Sequence, residues 1–147
     1  MASFVFDSVK DKVANGTINF VADNIFKVAL VSEDFFDVSH ISTKTKWSDV
    51  SGYEITNTSN NDIGYSQQYL AGVNTTTETV GSYTNTIIKA DDINYGNTST
   101  ITARGAVIFR ADTYETLILA IDFGEDVMST NGVFTLKFSE TGFLKIR

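Results

Sequence analysis

The chain of 147 residues contains no cysteine and no proline. Without cysteine there can be no disulfide, thiolate metal site, thiol nucleophile or iron–sulfur cluster. Without proline, against an average usage of about 5%, no cis-proline turn or polyproline linker can be built. Positive charge is scarce as well. The chain has 11 Lys and Arg against 18 Asp and Glu, a formal net charge of −7 and a pI near 4.5, and its cations are scattered. A phosphate backbone repels such a surface, and neutralising phosphates supplies most nucleic-acid affinity, so no nucleic-acid partner is expected. No window reaches the ~20 apolar residues of a membrane-spanning helix. "MASFVFDSVKDKV" carries acidic residues and no apolar run of export-signal length, so synthesis in a cytoplasm is expected. The Asn-x-Ser/Thr triplets at Asn15, Asn57, Asn74 and Asn97 are then chance matches in a chain rich in Thr, Asn and Ser.

What the chain does have is alternation. "IFKVALVS" (25–32) is apolar on both faces and predicts a central strand. In "TITARGAVIFR" the odd positions Ile101, Ala103, Gly105, Val107 and Phe109 form one face. "TLILAIDF" and "GVFTLKFS" repeat the period, with Asn131-Gly132 and Thr141-Gly142 as turn signals. "NTTTETV" and "GYSQQYLAGV" read as short strands of an exposed sheet, since the branched Cβ of threonine suits a pleated surface. Phe6, Val9 and Val13 make one helical stripe, closed by Asn15-Gly16. The expected fold is mainly β: an antiparallel β-sandwich or barrel-like domain with a short N-terminal helix. One β-rich domain spans 1–147, with a helical segment at 1–16 and long loops at 33–51 and 56–64. The first of these loops has room for a short helix.

No catalytic machinery is expected. His40, the only histidine, is the only base a serine triad could use, and no G-x-S-x-G elbow accompanies it, so it reads as a solvated loop side chain. The acidic pairs Glu33-Asp34, Asp91-Asp92 and Glu125-Asp126 read as solvated turn residues. "ADDINYGN" offers Asp91, Asp92, Asn94 and Asn97 as hard oxygen donors for calcium, without matching the calcium-loop pattern. No metal or cofactor is therefore expected. Tyr53, Tyr65, Tyr69, Tyr83 and Tyr95 are candidates for stacking on sugar rings or for filling gaps between subunits. Arg104, on the polar face of its strand, is matched to Asp122 across the sheet. Gly105, on the apolar face, marks a bulge or a close backbone approach.

Two stretches carry a resemblance. "FDSVKDKVANGTINFVADNIFKVALVS" and the run from "ADDINYGNTSTITARGAVIFR" through "LILAIDFGEDVMSTNGVFTLKFSETGFLKI" resemble a group of small, mainly β virion structural proteins of tailed bacteriophages. "TITARGAVIF", "IDFGED" and "STNG" are the most specific segments. The middle is similar only in "GYSQQYLAG", and "WSDVSGYEITNTSNND" departs as an insertion or altered loop. The resemblance implies a non-enzymatic particle component on the virion. Its leading placement is a head decoration protein binding the major capsid protein as a homo-oligomer, with a trimer favoured. Collar, head-fibre and tail-associated placements are the alternatives, and a receptor- or carbohydrate-binding module is the competing function. The residues expected to make contacts between chains are Phe4, Phe6, Phe35, Phe36, Trp47 and Arg104.

Overall fold

A computed structural model describes residues 2–23, 25–37, 39–40, 42–56, 62–138 and 142–146. In chain order these form β1 (Ala2–Val5), α1 (Asp7–Ala14), α2 (Phe20–Asp23) and β2 (Phe26–Val31). Three 3-10 turns follow, at Glu33–Asp37, Trp47–Asp49 and Ser51–Tyr53. The remaining elements are β3 (Gln68–Tyr69), β4 (Asn74–Val80), β5 (Tyr83–Lys89), β6 (Ile93–Asn94), β7 (Ser99–Arg110), β8 (Leu117–Gly132), β9 (Thr135–Leu136) and β10 (Leu144–Ile146). The described residues form three antiparallel sheets, ordered β1-β8-β7-β2-β3, β10-β5-β4 and β6-β9. The chain is mainly β with short helices, and among the described residues no sheet closes into a barrel.

The two-faced apolar character of β2 follows from its place inside the five-stranded sheet. Val28 and Leu30 join one core cluster, whereas Ala29 and Val31 join the other. The first cluster packs Ala106, Ile108 and Ile121 of that sheet against Val9, Phe20, Ile88, Ile93, Phe134 and Phe143 from the helices, the smaller sheets and their connections. The second packs Val107, Phe109, Leu117 and Ala120 beneath Phe35, Trp47 and Val50 of the 3-10 turns. The segment 33–51 thus covers the sheet. Its helical pieces are too short to show a period, and its aromatics point inward.

The helical segment expected at 1–16 is corrected at its start. Ala2–Val5 is a strand, in register from Ala2↔Asp122 to Val5↔Leu119, and pairs the β8 edge that the helix would have left open. Phe6 precedes the first helical residue with extended φ/ψ of −69° and 140°. Its ring therefore leaves the stripe and enters the second cluster, while Val9 and Val13 stay with the first.

The single apolar face predicted for β7 is also corrected. Register shifts between Ala103 and Gly105, where the partner jumps from Val127 to Asp122. Ile101 and Ala103 before this break share a cluster with Ala106 and Ile108 after it, whereas Val107 and Phe109 face the opposite cluster. A bulge inverts the parity of everything beyond it. Gly105 sits at the inversion because a Cβ there would collide with the Ile121 carbonyl oxygen and the Phe36 ring. Asn131-Gly132 makes no hairpin. β8 runs through it, with Asn131 at φ +48° and Gly132 paired with Ser99.

Candidate functional site

The aromatic residues expected at an interface mostly lie inside the chain's own core. Phe6, Phe35 and Trp47 are buried and Phe36 is half-buried. The Trp47 ring lies flat on Phe109, with centroids 4.8 Å apart and planes at 6°. Phe35 meets Phe36 edge to face at 4.9 Å. Each buries its ring against the central sheet, which is the cheaper solution for a large apolar side chain in water. Phe4 alone of the set remains exposed, at 41%, on edge strand β1.

Arg104 forms the expected cross-strand pair within the chain, with Nε 2.8 Å from Asp122 Oδ1. Asp122 Oδ1 also accepts the Gly124 N–H at 2.8 Å. Burial pushes the Asp122 carboxyl up, but the Arg104 guanidinium and the Gly124 N–H outweigh it and hold the group below the usual carboxylate range. The hydrogen bond to Asp122 raises Arg104. Arg104 is therefore occupied in holding the bulge. Either single charge reversal should lower stability, and the double reversal should recover part of that loss in a denaturation cycle. Strictly additive losses would show that the contact carries no coupling.

His40 is buried, which corrects its reading as a solvated side chain. Its ring packs 4.6 Å from Phe35 and 5.1 Å from Tyr53, and neither nitrogen has a hydrogen-bond partner. Burial holds the imidazole below its ordinary value and Lys44 acts in the same direction. The Phe35 carbonyl pulls the other way without reaching hydrogen-bond geometry. The folded chain therefore keeps His40 neutral where the unfolded chain binds a proton. This stabilisation is present above an unfolded value near pH 6.5 and is lost as pH falls through the lower folded value. His40→Phe should accordingly show a shallower loss of stability than the parent between about pH 7 and about pH 5. Parallel urea midpoints across that range would refute the assignment.

The carboxylate pairs do not converge. Glu33 and Asp34 are exposed on a 3-10 turn, Asp91 and Asp92 are exposed before β6, and Glu125 and Asp126 are exposed on β8. No three His, Cys, Asp or Glu among the described residues are grouped to hold a metal ion. In "ADDINYGN", Asn94 Oδ1 already accepts from Thr135 Oγ1 at 2.8 Å. The next side chain, Tyr95, is fully buried and donates to the Val28 carbonyl at 3.1 Å. Tyr65 is buried too, accepting from Leu30 N–H at 3.1 Å and donating to Glu54 Oε2 at 2.7 Å. Burial pushes both phenols far above their usual range. Of the five tyrosines considered for stacking, Tyr69 and Tyr83 are exposed and Tyr53 is half-buried.

Exposed apolar surface lies instead on two ribbons. In the β4–β5 hairpin, every residue of β4 except Glu78 is exposed, so neither face of that strand is covered. Its two-residue loop Gly81-Ser82, with Gly81 at φ +62°, carries Val80 and Tyr83 outward at 57% and 62% exposure. The glycine-led pair was the legible signal, because two-residue hairpins need a positive φ there. In β8 the first five residues are buried, but Gly124–Met128 are exposed. Val127 and Met128 stand out on that ribbon, and Val133 follows just past its end. Beyond Asp122, β8 has no second neighbour among the described residues. A polar depression of about 340 Å³ lies nearby, lined by Ser32, Glu54, Thr56, Asp62, Thr100 and Thr102.

Comparison of the chain with protein-family models, curated proteins and solved structures gave no match.

Proposed function

We propose that this chain is a non-enzymatic structural protein of a tailed-bacteriophage particle, a head decoration protein seated on the major capsid protein as a homo-oligomer. The observation that carries the reading is edge strand β4, whose residues apart from Glu78 are exposed on both faces and which ends with Val80 and Tyr83 at the hairpin tip. Its neighbour β5 is held by β10 and by the buried Asn85, Ile87 and Ile88. An exposed edge strand that ends in apolar side chains is suited to being covered by another chain. The outer half of β8 adds a second such surface. Repeated weak contacts on a lattice multiply into firm attachment, so no single interface need be large. We read the smaller sheets, which share a core cluster with the five-stranded sheet, as the second layer of a β-sandwich. Such a scaffold is rigid enough to present the ribbons. Phe4 belongs to the contact set and Phe6, Phe35 and Trp47 to the scaffold.

The test is co-sedimentation of purified protein with phage heads lacking accessory proteins. Val80→Asn combined with Tyr83→Asn should weaken binding at least about tenfold, the loss of one well-packed contact worth about 1.4 kcal/mol, with the melting curve unchanged. Undiminished binding by the variant, or no binding by the parent, overturns the reading.

A carbohydrate-binding module is the second reading. The polar depression favours it: Tyr65 and Gln67, each 2.7 Å from Glu54 Oε2, fix that carboxylate at its rim. None of the exposed tyrosines, Tyr69, Tyr83 and Tyr114, lines this depression. Saturable binding on a glycan array without affinity for heads would reverse the order.

A further inference from the structure

Three side chains on the three-stranded sheet meet in an arrangement that neither the fold nor the assembly reading requires. Glu78 on β4 is the register partner of Asn85 on β5, and Lys145 on β10 is the partner of Ile87. Side chains two apart on a strand share a face, so Glu78, Asn85 and Lys145 lie side by side on one face of the sheet. Glu78 Oε1 is 2.6 Å from Lys145 Nζ and accepts from Asn85 Nδ2 at 3.3 Å. Asn85 is 2% exposed, and its Oδ1 is buried with no hydrogen-bond partner. A buried amide carbonyl left unpaired is costly and calls for an explanation.

We propose that Lys145 and Asn85 form an isopeptide bond, with Glu78 carrying the protons. Glu78 lies within hydrogen-bond distance of both groups, and its contacts to Lys145 and Asn85 hold its carboxyl below the usual range, so it rests as the carboxylate. The carboxylate takes one proton from the Lys145 ammonium. The freed lone pair on Nζ forms a bond to Asn85 Cγ, and the carbonyl electrons move onto Oδ1. The protonated Glu78 contacts Nδ2 of the same amide and hands that proton to it. The carbonyl re-forms, the Cγ–Nδ2 bond breaks, and ammonia leaves, taking up a second Nζ proton through Glu78 as ammonium. Glu78 ends as it began, no electron changes hands and no co-reactant is consumed. The product is an amide between Nζ and Cγ.

The pair is partly open to water, with side-chain exposures of 44% for Lys145 and 31% for Glu78. The ammonium is therefore the resting form, and the reaction is slow and faster at higher pH. The bond would tie β10 covalently to β5 in a chain that has no cysteine for a disulfide.

Intact-mass spectrometry tests this on the full-length protein, fresh and after days at 37 °C and pH 9. The parent should lose the mass of one ammonia, and a protease digest should yield one branched peptide joining Asn85 to Lys145. Lys145→Arg keeps the ion pair but cannot react, and it should retain its full mass with an unchanged circular dichroism spectrum. A parent that keeps its full mass throughout overturns the proposal. So does a loss that persists in Lys145→Arg, which would place a succinimide at Asn15-Gly16 or Asn131-Gly132 instead.

Discussion

Gly105→Ala should cost about 3 kcal/mol of unfolding free energy, the upper part of the range for forcing one extra carbon into a filled site. The reason is the neighbours. The added methyl meets the Ile121 carbonyl oxygen on one side and the Phe36 ring on the other. The ring can turn away, since Phe36 is only half-buried, but the carbonyl cannot, because β8 holds it in the ladder beside Asp122, the register partner of Gly105. Adding Phe36→Ala to Gly105→Ala should therefore recover a minor part of the loss. Urea denaturation of the two variants separates the contributions. Recovery of the whole loss would mean the backbone contact is harmless, and a neutral Gly105→Ala would mean that the strands are further apart than described.

The same position shows how far a sequence can be read. The doublet Arg104-Gly105 was legible as a bulge and as half of an ion pair with Asp122, and both are present. Its consequence for the rest of β7 was not, because the register jump from Val127 to Asp122 inverts alternation by an amount set in the partner strand. Phe6 failed for a similar reason: one residue outside the helix, it obeys the strand's geometry and enters the other cluster. β2 was read correctly because a strand buried on both faces shows a continuous apolar run. Gly124 and Asn131 carry the positive φ of turns yet sit inside β8, where they relieve irregular pairing rather than reverse the chain. Phe6, Phe35 and Trp47 are buried rather than exposed because size and hydrophobicity alone do not separate an aromatic that fills a core from one that fills a partner. The distinction depends on tertiary neighbours. Large rings between 33 and 51 found a sheet to cover, whereas Tyr83, one of the five tyrosines weighed in the sequence, and Val80, which was not, are exposed.

Trp47→Ala is the substitution that separates these two uses of an aromatic. If Trp47 were a docking residue, its loss would leave folding intact and abolish binding. In the structure its indole is 5% exposed and stacked flat on Phe109 above the central sheet. Its backbone N–H also ties the 3-10 turn to the Glu115 carbonyl at 2.9 Å. Truncation removes the ring but keeps that hydrogen bond, so the cost is lost transfer energy plus the cavity beneath Phe35 and Val50. For a buried tryptophan this amounts to about 3–5 kcal/mol, or a melting temperature lower by roughly 10 °C. Trp47 is the only tryptophan, so the variant must be followed by far-ultraviolet circular dichroism rather than fluorescence. Trp47→Phe should retain more than half of the lost stability, because the stacked contact with Phe109 survives in a smaller ring. On the proposed reading, Trp47→Ala should bind phage heads as the parent does at temperatures where it remains folded. A variant that melts with the parent but fails to bind would return Trp47 to the interface and leave the lid over the second cluster without its anchor.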